Sequence, residues 1–151
     1  MTSKATSSEN PSVKSILAAL AKRVPKSRHA EAQGFANAFY QRMGSDDAVQ
    51  HGTDGWAALA ADMLEFARTR KRGRANVRLF NPTLKEHGWE SAHTVVQVVN
   101  DDMPFLVDSV TMAMAEQGIG VHVLGHPVMA IGRDKAGKLT AVGTGELESF
   151  I

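Results

Sequence analysis

Three acids crowd one short stretch of this chain, DDMPFLVDSV, at Asp101, Asp102 and Asp108. Carboxylates this close can act as a general acid–base pair or hold a magnesium ion. Asp102 and Asp108 are six positions apart, so on a helix they point to different sides. A cap plus one helical acid is the simpler reading. Asp101 or Asp102 then accepts from the free N–H groups of a helix whose first turn holds Pro104. That turn is also the best candidate for receiving a ligand carboxylate, through Asp101, Asp102, Met103, Pro104 and Phe105. His122 and His126, four apart, would share one face of a strand and could bind a metal. Gly125 and Pro127 interrupt that register, and no third ligand is evident beyond Asp101 or His93, so no metal site is expected. Ser109 has no His and Asp at a suggestive spacing. Gly118 and Gly120 form a GxG without a third glycine, after a helix and before a strand, the reverse of a dinucleotide fingerprint. No catalytic residue and no cofactor-binding residue is assigned.

Composition narrows the classes further. The 151 residues include no cysteine, which removes disulfides, thiolate nucleophiles and Cys-ligated metals. Seventeen basic and sixteen acidic residues give a net charge of +1, too balanced for a dedicated nucleic-acid binder. The balance hides an asymmetry: thirteen Lys/Arg against seven Asp/Glu in residues 1–80, then four against nine. Residues 68–78, RTRKRGRANVR, hold six cations and no acid. They could bind phosphate, but no aromatics interleave for stacking. A solvated helix end running into a linker broken at Gly73 is expected instead. Apolar runs fall far short of the ~20 residues of a membrane span. The opening MTSKATSSEN lacks a signal peptide's apolar region. A soluble, cytoplasmic protein without nucleic-acid or membrane partners is the expectation. With 6% aromatic residues, aliphatic side chains, Ala and Met are expected to fill most of the core.

The elements divide near residue 74. In 1–74 three helical stripes recur. Asn10-Pro11 opens the first, with Val13, Ile16, Leu17, Leu20 and Val24, and Pro25 ends it. The second is Ala32, Phe35, Ala36, Phe39 and Met43, closed by Gly44. Thr53 or Asp54 caps the third, with Trp56, Leu59, Ala60, Met63, Leu64 and Ala67. In 75–151 the pattern changes to strands at 77–80, 93–100 and 121–133, a helix from the DDMPF turn to Gly118, and a hairpin turn DKAG ending at Gly137. The fold class is α+β: N-terminal helices, then a partial ferredoxin-like β-α-β unit with a β-hairpin.

NPTLKEHGW, HTVVQVVNDDMPFLVDSV and VHVLGHPVMAIGRDKAG resemble the N-terminal region of the large NAD-specific glutamate dehydrogenases of bacteria. The resemblance runs over about residues 77–151, and NDDMPFLVDSV carries it without a gap. It implies an ACT-like regulatory module, the loop of which normally has glycine after the proline; here Phe105 stands there. By the same resemblance the chain is a regulatory and assembly segment of an enzyme that deaminates glutamate to 2-oxoglutarate. NAD belongs to that parent enzyme, with no cofactor in this segment. Implied partners are the rest of the enzyme, further copies in a homo-oligomer, and an amino-acid effector at Asp101, Asp102, Met103, Pro104 and Phe105. A free-standing amino-acid sensor and a ligand-free interaction domain are the alternatives. GELESFI reads as an unfinished strand starting at Ser149, so a truncated sheet is expected, with residues 93–100 open to another chain. Either 138–142 or the strand near Glu148 could lie beside 93–100.

Overall fold

The computed structural model describes residues 12–41 and 52–151. Ser12 opens helix α1 (Val13–Ala21) by accepting from the Ser15 N–H; Asn10 and Pro11 lie outside the described residues. A short 3-10 turn at Lys26–Arg28 leads into α2 (His29–Tyr40). Ala32, Phe35, Ala36 and Phe39 are buried along one stripe, as their spacing requires. Met43 and Gly44 fall outside the described residues. Helix α3 (Gly52–Phe66) buries Trp56, Ala60, Met63 and Leu64, and also Ala57 and Ala58.

The strands are β1 (Asn76–Phe80), β2 (Val95–Asp101), β3 (Val128–Arg133), β4 (Leu139–Val142) and β5 (Glu146–Phe150). A four-residue helix α4 (Leu84–His87) follows β1, capped by Thr83 and stopped at Gly88 with φ 73°. Helix α5 (Leu106–Glu116) lies in the crossover from β2 to β3. The sheet order is β1-β2-β5-β3-β4, with every neighbouring pair antiparallel. Strands β2 and β3 are therefore parallel with β5 between them, the split β-α-β arrangement of an α+β ACT-like fold.

Several expectations are corrected by this order. Of the two alternatives left open, β5 and not β4 lies beside β2, with Val99 opposite Phe150 and Asp101 opposite Glu148. Strand β5 starts at Glu146 and not at Ser149, and its five residues are an ordinary strand length. Strand β1 takes the other side of β2, Val77 opposite Val98 and Leu79 opposite Val96. The expected open ladder along 93–100 is paired with β1 over residues 95–99 on one side and with residues 148–151 over 98–101 on the other. Residues 121–127 form no strand, and β3 starts only after Pro127, which has no N–H to give to a ladder.

The helices α1–α3 and one sheet face share the core. Phe35 meets Phe150 edge-on at 5.3 Å, Phe39 stacks on Phe35 at 5.6 Å, and Tyr40 meets Trp56 at 5.4 Å. Aliphatic side chains, Ala and Met make up most of the buried apolar residues, as expected, while the Phe35–Phe150 contact bridges the two layers. Each large side chain buried this way contributes about 1.5–3 kcal/mol. Burial pushes the Tyr40 phenol well above its ordinary range, and its O–H donates to the Trp56 carbonyl. The opposite sheet face is barer: Val77 and Leu79 are 63% and 70% exposed. Helix α5 has no buried residue.

Candidate functional site

The basic stretch 68–78 is exposed over residues 71–75 but pinned to the sheet just before them. Thr69 bridges Lys138, the Arg70 N–H donates to the Gly137 carbonyl, and the Leu139 N–H donates to Arg68. Residues 68–70 thus lie as a strap along β4, and the strap drives the Arg70 side chain into the interior. Its Nη2 donates to Asp101 at 2.6 Å and to Glu148 at 2.7 Å, and its Nη1 to the Arg74 carbonyl at 2.9 Å. Arg133 grips Glu148 with two bonds of 2.7 and 2.9 Å and reaches the Gly137 carbonyl. The second Asp101 oxygen accepts from the Gly73 N–H at 2.8 Å. Both guanidiniums are fully buried and Glu148 nearly so. Two cations and two anions balance, which is what allows them to leave water.

Three further cations of the stretch are also engaged. Arg68 forms a fork with Glu31, and Arg72 pairs with Glu146. Arg78 donates to Asp62 and Gln97 and lies over the Phe66 and Phe80 rings. The expected solvated stretch is corrected at Arg68, Arg70 and Arg78, which distant acids, invisible in the local run, draw inward, while residues 71–75 are exposed as expected.

Electrostatically the centre is locked in its ionised form. The Arg70 hydrogen bond holds the Asp101 carboxyl below its ordinary range against partial burial, and the Gly73 N–H assists. Burial works against the charge of Glu148, but Arg133 and Arg70 outweigh it and lower its pKa. Burial likewise opposes the Arg70 charge, and Glu148 and Asp101 overcome it, so its pKa is raised. Carboxylates held this way are poor proton carriers near neutrality; the cluster fastens strap, β2, β3 and β5 together. Both acids titrate lower in the folded state, so their stabilisation is complete above about pH 5 and is lost as pH falls through the depressed values. Urea melts should show a plateau at neutral pH and a falling midpoint below about pH 4. A midpoint independent of pH across this range would contradict the assignment.

The β2–α5 turn is built differently from the expected cap. Asp101 remains in β2, and the Asp102 N–H donates to the Leu147 carbonyl. The Asp102 carboxylate accepts at 2.7 Å from the Ser149 hydroxyl, and His126 Nε2 lies 3.1 Å from the same oxygen. The single Ser149 proton is used on Asp102, so Nε2 carries the hydrogen toward Ser149. Neither acid caps α5. Phe105 is its N-cap, with φ 63° and no side-chain bond to the first turn. Met103 and Phe105 are exposed, the latter at 76%, and Pro104 is exposed between them. The five candidate residues therefore split: Asp101 joins the buried centre, Asp102 joins Ser149, and Met103, Pro104 and Phe105 form the outer rim. Phe105 occupies the left-handed region that costs a side chain about 1–2 kcal/mol. Phe105→Gly should raise stability by up to about 1 kcal/mol, measured by urea unfolding.

His122 and His126 are not brought together. His126 faces Ser149, while His122 stacks on His93 with ring centroids 4.4 Å apart. Among the described residues no three His, Asp or Glu are grouped to hold a metal ion. Sequence reasoning missed Glu148, Arg133 and Arg70 as one cluster. The available signal was Glu148 itself, an acid set between Leu147 and Phe150 in the strand ELESF.

Five antiparallel strands in the split β-α-β order, behind a helical layer, define an ACT-like α+β domain. The family model for the glutamate dehydrogenase ACT1 domain matches residues 35–151, and the chain belongs to that family as part of its N-terminal region. It is 34% identical over 134 residues to the NAD-specific glutamate dehydrogenase of Halomonas elongata, covering 89% of this chain and 8% of that protein. It is 32% identical over 108 residues to the enzyme of the same name from Pseudomonas aeruginosa, covering 72% of this chain and 7% of the relative. The chain thus spans less than a tenth of the length of these curated relatives. No solved structure matches it.

Proposed function

We propose that the chain serves as a regulatory and assembly segment of a cytoplasmic NAD-specific glutamate dehydrogenase, joined to the rest of the enzyme and to further copies of itself. The match of residues 35–151 to the ACT1 domain carries this reading. The parent reaction would be the oxidative deamination of glutamate to 2-oxoglutarate, with NAD bound elsewhere in the enzyme. Within this segment the acids of the β2–α5 turn are already committed to Arg70 and Ser149, which favours a structural over a catalytic role. Grafting residues 35–151 in place of the matched segment of the Pseudomonas aeruginosa relative should preserve its assembly and activity. Deleting the segment should lose one or both; an unchanged enzyme would refute the reading. The purified chain alone should give no glutamate-dependent NADH absorbance. Turnover that follows the protein through repurification would overturn this.

A second reading is favoured by one observation, the α5 N-terminus without a side-chain cap. An amino acid could place its carboxylate there, bordered by Met103, Pro104 and Phe105. Calorimetry with glutamate, aspartate and branched amino acids tests it, and absence of heat with all of them would remove it.

A further inference from the structure

The two edges of the sheet are treated unequally. Strand β4 is shielded at its Leu139 end by the strap, through the Thr69–Lys138 bridge and the bonds of Arg68 and Arg70. Its pairing with β3 also shifts register at Gly132/Arg133, an irregularity that discourages further strands. Strand β1, NVRLF, has none of these devices. It ends the strand order, with β2 on one side and, among the described residues, no strand on the other. Lysine, proline and bulges, the usual means of blunting an edge, are absent from its five residues. Val77 and Leu79 nevertheless stand 63% and 70% exposed on it, on the side turned from the helices.

We infer that β1 is the seam of a two-fold dimer of this chain, the two β1 strands pairing antiparallel about Arg78 into one continuous sheet. The sequence of β1 is self-complementary for that operation. Pairing about Arg78 sets Val77 of each copy opposite Leu79 of the other, so each exposed apolar side chain gains an apolar cross-strand neighbour. The one charge on the strand does not oppose the approach. Arg78 lies on the helix side of the sheet, bound to Asp62 and Gln97 and covered by Phe66 and Phe80. An isologous contact of this kind closes on itself, so the same five residues of each copy are used up in the one seam. A foreign strand could meet the hydrogen-bonding need, but a second copy meets that need and the apolar one with the same five residues. The inference deepens the assembly reading and rests on it for its biological setting, while its test concerns this chain alone.

Sedimentation velocity of the full chain over a wide concentration range should show a monomer–dimer equilibrium. Val77→Asp/Leu79→Asp should abolish the dimer with little change in melting temperature, since both side chains are already exposed. Met112→Asp, at an exposed position of α5, should leave the dimer intact. Because the chain has no cysteine, Val77→Cys mixed with Leu79→Cys reads the register directly. Crosslinks between unlike variants should dominate those between like ones. A monomer at every concentration overturns the inference, and so does a dimer that Met112→Asp removes and the β1 variant does not. Either failure would leave the grafting result, and with it the assembly reading, untouched.

Discussion

Glu148→Ala is expected to cost about 3–5 kcal/mol, enough to unfold much of the population of a domain this size. Removing the carboxylate leaves Arg70 and Arg133, both fully buried, with Asp101 as their remaining anion. The loss is dominated by two guanidiniums left short of acceptors. Glu148→Gln keeps the shape and should still lose most of the stability, because neutral oxygen does not offset a second buried cation. The contrast with Asp101→Asn is informative. Asp101 is a third exposed, so water can replace part of its contribution and the loss should be smaller. Urea unfolding of the three variants checks the order; an intact midpoint for Glu148→Ala would show that the centre is ornamental to stability.

Gly137→Ala is the second large effect, at about 2–4 kcal/mol. Gly137 has φ 85°, and a Cβ there would lie 2.4 Å from the Arg70 carbonyl oxygen and 2.9 Å from its carbon. Both atoms are main chain, so no rotamer change relieves the clash. The strap must move away from β4, and that movement withdraws Arg70 from Glu148 and Asp101. The variant should therefore lose the acid dependence of stability along with stability itself. A melting curve and its pH profile measured together test this. A stable variant with the wild-type profile would show that strap and centre are uncoupled.

Legibility in the sequence followed distance along the chain. The stripes Ala32–Phe39 and Trp56–Leu64 and the turn at Gly137 are local patterns, and the structure has them. Arg70 and Glu148 are separated by 78 positions, and no local rule pairs them. The cations of 68–78 read as solvated because a run of like charge usually is, and acids as distant as Glu31, Asp101 and Glu148 decided otherwise. Asp102 read as a cap because an acid before Pro104 usually caps; its bonds to Leu147 and Ser149 delay the helix to Leu106. Phe105 stands where the resemblance sets a glycine, and its φ of 63° lies in the left-handed region that favours glycine.

The position of β5 sets an order of events during synthesis. Strands β1 and β2 are near neighbours in the chain, as are β3 and β4, and each pair can form at low loop-closure cost. The strand that joins the two pairs is the one translated after all of them. Until Phe150 has left the ribosome, no strand is available to join the two pairs, and Glu148, the anion that Arg70 and Arg133 share, is not yet in place. Cooperative folding of this domain is thus a late, post-emergence step. A chaperone that shields β2 and β3 during that interval would act on the two surfaces β5 later fills.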